Sequence, residues 1–311
     1  MRMSGDVVEA IGNTPMVQLR KVVPHGSARV LAKLEFANPT GSMKDRVAKA
    51  MVEAATADRR LKPGGTVVEY TAGTTGVSLA LVCAARGFRS HMVYSDAFTQ
   101  EKRLTMQAFG AEITIVKSDN KEITEQLIKE MIDTAAEISK RPNHWYSDQL
   151  TNKDAVAGYF PLGEEIWNQT EGKLEAFVQA VGTAHSIHGA TKALWKHDPT
   201  IHVAAVEPAE SAVLSGEPTG SHKIEGVGIG FIPPLWEPEL TNEIIKVKTE
   251  EAKEMTRRLA RDEGLFVGTS SGANMVASLR VAKKLGPDAT VVTIMVDSGL
   301  RYLSTGLFGT V

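Results

Sequence analysis

The chain has 311 residues, with 35 Lys plus Arg against 37 Asp plus Glu and a formal net charge of −2; 42% of residues are hydrophobic and 23% charged. That balance gives no electrostatic footprint for a nucleic-acid partner, and the apolar content is too high for a disordered chain. No apolar run approaches the roughly 20 residues of a membrane helix, so no membrane partner is expected, and the length points to two lobes rather than one core.

Short β-branched runs alternate with amphipathic helical stretches that stop at Gly or Pro. Val30 to Glu35 is predicted as a strand, then Thr66 to Tyr70, whose following helix ends near Gly87. His91 to Ser95 is a strand, and the helix from about Thr99 stops at Gly110. Glu112 to Lys117 is a strand, and the long helix after it stops before Pro142. Strands resume at Ala176 to Val181, His202 to Val206, Glu243 to Val247 and Val291 to Val296. This spacing implies an α/β fold of parallel βαβ units with helices on both faces. In such sheets ligands bind at the carboxyl ends of strands, in the loops that open the following helices.

One cysteine, Cys83, rules out an internal disulfide framework or a cysteine-built metal site; it lies in the apolar helical stretch Val77 to Ala85 and reads as core. The N-terminus, Met1-Arg2-Met3-Ser4-Gly5-Asp6, has no apolar h-region, so a reducing, cytoplasmic setting is expected.

Four loops are rich in Gly, Ser and Thr. In Asn38-Pro39-Thr40-Gly41-Ser42-Met43-Lys44-Asp45-Arg46, Lys44 opens a helix. The positive end of the helix dipole and nearby Arg46 would favour a neutral amine, which condensation with an aldehyde requires; a solvated surface lysine is the other reading. Thr71-Ala72-Gly73-Thr74-Thr75-Gly76 presents N–H groups and hydroxyls at a helix N-terminus, either an anion site or a capped turn. Gly182-Thr183-Ala184-His185-Ser186 suits a phosphate but matches neither G-x-x-x-x-G-K nor G-x-G-x-x-G. Gly268-Thr269-Ser270-Ser271-Gly272 fits the G-x-S-x-G elbow of α/β-hydrolases and follows an apolar, strand-like run. That elbow requires its His after the serine. The eight histidines, at 25, 91, 144, 185, 188, 197, 202 and 222, all precede Ser270, which weighs against a hydrolase. His185 and His188 share a helical face without an acidic third ligand, so no metal site is expected.

Together these loops resemble the cysteine synthase (O-acetylserine sulfhydrylase) family of fold-type-II pyridoxal-phosphate enzymes, which includes cystathionine β-synthase. The resemblance spans nearly the whole chain. It begins at Ile11-Gly12-Asn13-Thr14-Pro15 and continues through Asn38 to Arg46, against the family's N-P-x-G-S-x-K-D-R. It includes Gln149, Asn152, Val206-Glu207-Pro208, Val213 to Gly216, His222 to Gly228 and Phe231-Ile232-Pro233. It closes with Gly268 to Gly272, Asp297-Ser298-Gly299 and Arg301 to Thr305. The resemblance implies a two-domain α/β fold of the tryptophan synthase β type, with parallel and mixed sheets. It places a large cofactor-binding domain at 1–37 plus 148–311 and a smaller, mobile substrate-binding domain at 38–147, near the break at Arg141-Pro142-Asn143.

Pyridoxal 5′-phosphate is the implied cofactor. The resemblance makes Lys44 the catalytic residue, holding the cofactor aldehyde as an imine and later removing the substrate Cα proton. Gly182, Thr183, Ala184, His185 and Ser186 would hold the phosphate, Ser270 the pyridine nitrogen, and Thr74 would sit beside the ring. Thr71, Ala72, Gly73, Thr75 and Gln149 would bind the amino-acid carboxylate, and Gly228 would line the entrance. A neutral serine at the pyridine nitrogen weakens the electron sink, favouring concerted loss of a β-leaving group over transamination.

The implied enzyme is a lyase or transferase of amino-acid biosynthesis that turns O-acetylserine and sulfide into cysteine through an aminoacrylate. Cysteine desulfhydrase, cystathionine β-synthase and diaminopropionate synthase activities are alternatives, and a catalytically silent regulatory homologue is the alternative of another class. The implied partners are a small amino acid, a small nucleophile, a second copy in a homodimer and serine acetyltransferase. Departures from the family pattern fall at Ala72 and Thr74 (for Ser and Asn), at Ala184 and His185 (for two glycines) and at Leu300 (for Glu). If either glycine position needs φ > 0, a β-carbon there costs energy.

Overall fold

A computed structural model describes residues 3–120, 122 and 124–309. The chain divides into two compact units, one from Met1–Ile11 and Asn38–Gly158, the other from Gly12–Ala37 and Tyr159–Val311. The units divide at 37/38, where the sequence reading put the division, but the residues up to Ile11 and the stretch from Asp148 to Gly158 fall in the smaller unit. The segment ending at Ile11 groups with the smaller unit, where Asp6 meets Arg86 at 2.5 Å. The second boundary moves to Gly158 because α5 (Asp154–Ala157) packs on α1 (Lys44–Ala57).

The larger unit is built on a six-stranded sheet. Its order is β1 (Met16–Leu19), β2 (Arg29–Leu34), β10 (Thr290–Met295), β7 (Ala176–Ala180), β8 (His202–Pro208) and β9 (Glu243–Val247). All pairs are parallel except β1 with β2. Every residue of β7 and β10 is buried, so both faces of the sheet centre are covered. Their mostly apolar sequences follow from that burial. The smaller unit has a four-stranded, all-parallel sheet ordered β5 (Glu112–Val116), β4 (Arg89–Ser95), β3 (Thr66–Tyr70) and β6 (His144–Tyr146). Behind β3 runs α2 (Thr74–Arg86), which ends on left-handed Gly87 and buries Cys83.

Two strands escaped the sequence reading, β1 and β6, of four and three residues. The strand-like run before Gly268 is not a strand. Among the described residues it makes a single antiparallel bridge, Val267 to Ser298, between the left-handed Gly264 that ends α8 (Thr249–Glu263) and the start of α9 (Thr269–Leu285).

Gly272 lies where α9 crosses α8. A β-carbon there would collide with the Ala252 carbonyl and the Thr256 hydroxyl. Gly272→Ala is therefore expected to destabilise the fold by about 1–3 kcal/mol through overpacking, read by urea denaturation; an unchanged midpoint would show that the helices part freely.

Candidate active site

In the smaller unit, Lys44 is the first residue of α1, and its N–H donates to Ser42 Oγ at 3.2 Å. The preceding loop is pinned by the buried Asp45 carboxylate, which accepts from Thr40 N at 2.8 Å and Thr40 Oγ1 at 2.5 Å. The loop after β3 is folded around Thr71, whose hydroxyl oxygen accepts from the N–H groups of Gly73 (2.9 Å) and Gly76 (3.1 Å). Ala72 is exposed, Gly73 is buried and Thr74 is half-buried. The first N–H groups of α2 have no intrahelical acceptor and can serve an anion.

Gln149 joins this loop. Thr75 Oγ1 donates to its Oε1 at 2.8 Å, and its Nε2 donates to the Tyr70 carbonyl at 3.1 Å. Beneath it lies Glu69, wholly buried in β3, which no loop motif identified. Glu69 Oε2 accepts from Ser147 Oγ (2.7 Å) and Gln149 N (3.0 Å). Burial pushes its carboxyl up to about 8; the charge of Asp148 adds to this, and those two hydrogen bonds oppose it.

In the larger unit, the phosphate-type loop leaves β7 and opens α7 (His185–His197). A β-carbon at Gly182 would strike the Gly226 carbonyl, so the backbone approach there admits only glycine. Ala184 stands at φ +68°, while His185 has joined the helix, so the β-carbon penalty falls on Ala184 alone. His185 is buried, with Nδ1 3.0 Å from Thr183 Oγ1. His188 is a packing residue. Its Nδ1 faces the Leu235 carbonyl at 3.0 Å, its ring lies against Trp236, and burial lowers it to about 4.

The Gly268–Gly272 loop is braced on three sides. Thr269 Oγ1 accepts from Glu225 N at 3.1 Å, Ser271 Oγ accepts from Val296 N at 2.8 Å, and Gly268 N donates to the Asp297 carbonyl at 3.2 Å. Asp297 accepts in turn from Tyr302 Oη at 2.6 Å. Ser270 is buried between two committed neighbours, and among the described residues none hydrogen-bonds its hydroxyl. Gly228 is tied to the end of β7 through Val181 O (3.0 Å), and its carbonyl lies 2.8 Å from His222 Nε2. Leu300 is 64% exposed, so its departure lies on the surface.

The larger unit thus offers a helix N-terminus with a glycine cradle and hydroxyl donors, and a separate open serine. That donor set fits a phosphate and a heteroaromatic nitrogen. No group of three or more His, Cys, Asp or Glu suited to a metal lies among the described residues, and no helix there is long and apolar enough to cross a membrane.

Ala184→Gly is expected to stabilise the protein by up to about 1 kcal/mol in urea denaturation. Relief of a left-handed alanine (about 1–2 kcal/mol) outweighs the added backbone entropy of glycine (about 0.5–1 kcal/mol), and a less stable variant would contradict this. For Glu69 the folded state favours the protonated carboxyl. Its stabilising contribution is complete below the unfolded value of 4.5 and is lost as pH rises through about 8. Glu69→Gln keeps an acceptor for Ser147 and Gln149, so it should flatten the fall in melting temperature between about pH 5 and pH 8; parallel profiles would refute the assignment.

Residues 7–297 match the family described as pyridoxal-phosphate dependent enzyme. The chain is 41% identical over 305 residues to a cysteine synthase of Staphylococcus aureus, covering 97% of this chain and 96% of that one. The solved cysteine synthase of Entamoeba histolytica superposes with a TM-score of 0.92 at 36% identity, covering 99% of this chain and 91% of that chain. An O-acetylserine dependent cystathionine β-synthase from Helicobacter pylori superposes with a TM-score of 0.92 at 33% identity, covering 99% and 100%. With its α/β units and this near-complete similarity, the chain belongs to the pyridoxal-phosphate dependent enzyme family.

Proposed function

We propose that the protein is a cysteine synthase-type enzyme, replacing the β-substituent of O-acetylserine with sulfide to give cysteine. The observation that carries this reading is the open Ser270 hydroxyl, buried between Thr269 and Ser271, whose own hydroxyls are committed to the backbone. Pyridoxal phosphate, when bound, supplies an electron sink for loss of the substrate Cα proton and the β-substituent. Ser270 holds the ring nitrogen with a neutral hydroxyl, which favours loss of the β-substituent over transamination. Gly182, Thr183, Ala184, His185 and Ser186 hold the phosphate at the α7 N-terminus.

Lys44 is the amine that anchors the cofactor and the base that takes the Cα proton. It is the first residue of α1. Thr71, Ala72, Gly73, Thr75 and Gln149 bind the amino-acid carboxylate at the first turn of α2, with Thr74 beside the cofactor ring. Gly228 lines the entrance. In this reading the smaller unit is the mobile substrate-binding domain and the larger one the cofactor-binding domain.

The same reading carries a cytoplasmic homodimer with serine acetyltransferase as a partner. Cystathionine formation and cysteine desulfhydration use the same residues with another nucleophile or donor. The exposed methyl of Ala72 and the half-buried Thr74 are the positions at which that choice would be made.

The purified protein is expected to show a visible cofactor chromophore that Lys44→Ala removes. The spectrum should shift on adding O-acetylserine and recover on adding sulfide, with cysteine formed. A protein without a Lys44-dependent chromophore would overturn the cofactor assignment. A shift with serine or cysteine in place of O-acetylserine, or recovery with homocysteine in place of sulfide, would reassign the substrates.

A further inference from the structure

Gln179 and Asn274 are both wholly buried, one next to the last residue of β7 and the other in α9, four residues after Ser270. Neither is needed by the roles assigned above. Asn274 is fixed by backbone groups whose polarity is not in question. Its Oδ1 accepts from Ala180 N at 2.7 Å, and its Nδ2 donates to the Ile294 carbonyl at 2.8 Å. Turning the amide over would set N–H against N–H and oxygen against oxygen. Nδ2 also donates to Gln179 Oε1 at 2.7 Å, which fixes the second amide. Gln179 Nε2 is then a donor to Ser186 Oγ at 2.9 Å.

Ser186 therefore receives a hydrogen bond from the core, and among the described residues none accepts its own proton. We propose that Gln179 and Asn274 are positioning residues that turn the Ser186 hydroxyl outward as a donor to the cofactor phosphate, a proposal that rests on the pyridoxal-phosphate reading of the α7 N-terminus. Without the Gln179 donor, the serine would be free to give its proton back to the core and face an anion with lone pairs. A hydroxyl that already accepts a hydrogen bond is also the better donor in a buried chain. The relay joins the first turn of α7 to the first turns of α9, so the helix carrying Ser270 also sets the polarity of the phosphate loop.

The test compares pyridoxal phosphate with pyridoxal, which lacks the phosphate, by titrating cofactor-free protein and following absorbance. Gln179→Met removes the donor while filling the same space, and Ser186→Ala removes the hydroxyl while leaving both amides in place. Each is expected to weaken pyridoxal phosphate binding roughly tenfold, the scale of one hydrogen bond to a charged group, and to leave pyridoxal binding unchanged. The double variant should lose no more than Ser186→Ala alone. Equal losses for both ligands in Gln179→Met would assign a merely structural role and overturn the proposal. So would unchanged phosphate affinity in Ser186→Ala. Wild-type protein that forms no Lys44-dependent chromophore with either ligand would overturn the cofactor reading itself.

Discussion

Polar groups buried at the carboxyl ends of β7 and β10 have no water to satisfy them, and the way the chain pairs them decides which hydroxyls remain for a ligand. The Val296 N–H goes to Ser271, the Ala180 N–H to Asn274 and the Gly268 N–H to the Asp297 carbonyl. Each pairing commits one side chain or one carbonyl. What is left over includes the hydroxyl of Ser270 and the proton of Ser186. The ligand-facing groups are thus defined by subtraction, as the members of a buried polar set that the fold itself does not consume.

The smaller unit follows the same rule with a different outcome. Thr71 spends its oxygen on closing the loop, and Thr75 spends its proton on Gln149, so the side chains chiefly shape the backbone. The groups remaining for a carboxylate are then the Thr71 proton and the leading N–H groups of α2 that Thr71 does not take. Glu69 holds the far side of this arrangement by accepting from both Ser147 and Gln149 through one oxygen. A carboxyl kept neutral by burial costs the fold less than a buried carboxylate would, yet it still orders the turn that carries Gln149.

Much of this was legible in the sequence. Runs such as Thr66 to Tyr70 and Glu243 to Val247 are strands with the bounds their β-branched residues suggested, because such residues favour the extended pleated backbone in a buried strand and an edge strand alike. The helix-opening positions of Lys44 and Ser270 were legible from Gly and Ser punctuation, and resemblance supplied their chemistry. Strands β1 and β6 were not, because segments of four and three residues carry too little periodicity to stand out. Gln179 and Asn274 gave no local signal either. Each is a single polar residue inside an apolar element, and its meaning depends on a partner 95 residues away. Glu69 was hidden for the same reason, in a strand that otherwise reads as pure core.

Ala184 shows where local and global demands part. Its left-handed backbone is the one conformation in the phosphate loop that a glycine would adopt without strain, and alanine holds it at a cost of about 1–2 kcal/mol. The loop keeps that shape because both flanks are fixed by packing that a small local penalty cannot undo. On one side Gly182 is pressed against the Gly226 carbonyl; on the other, buried His185 begins α7 and approaches Thr183 at 3.0 Å. A histidine in place of flexible backbone then stiffens the loop from within. The geometry that a pair of glycines would have made accessible is here imposed by the surroundings, so these departures bear on loop stability before they bear on the anion the loop receives.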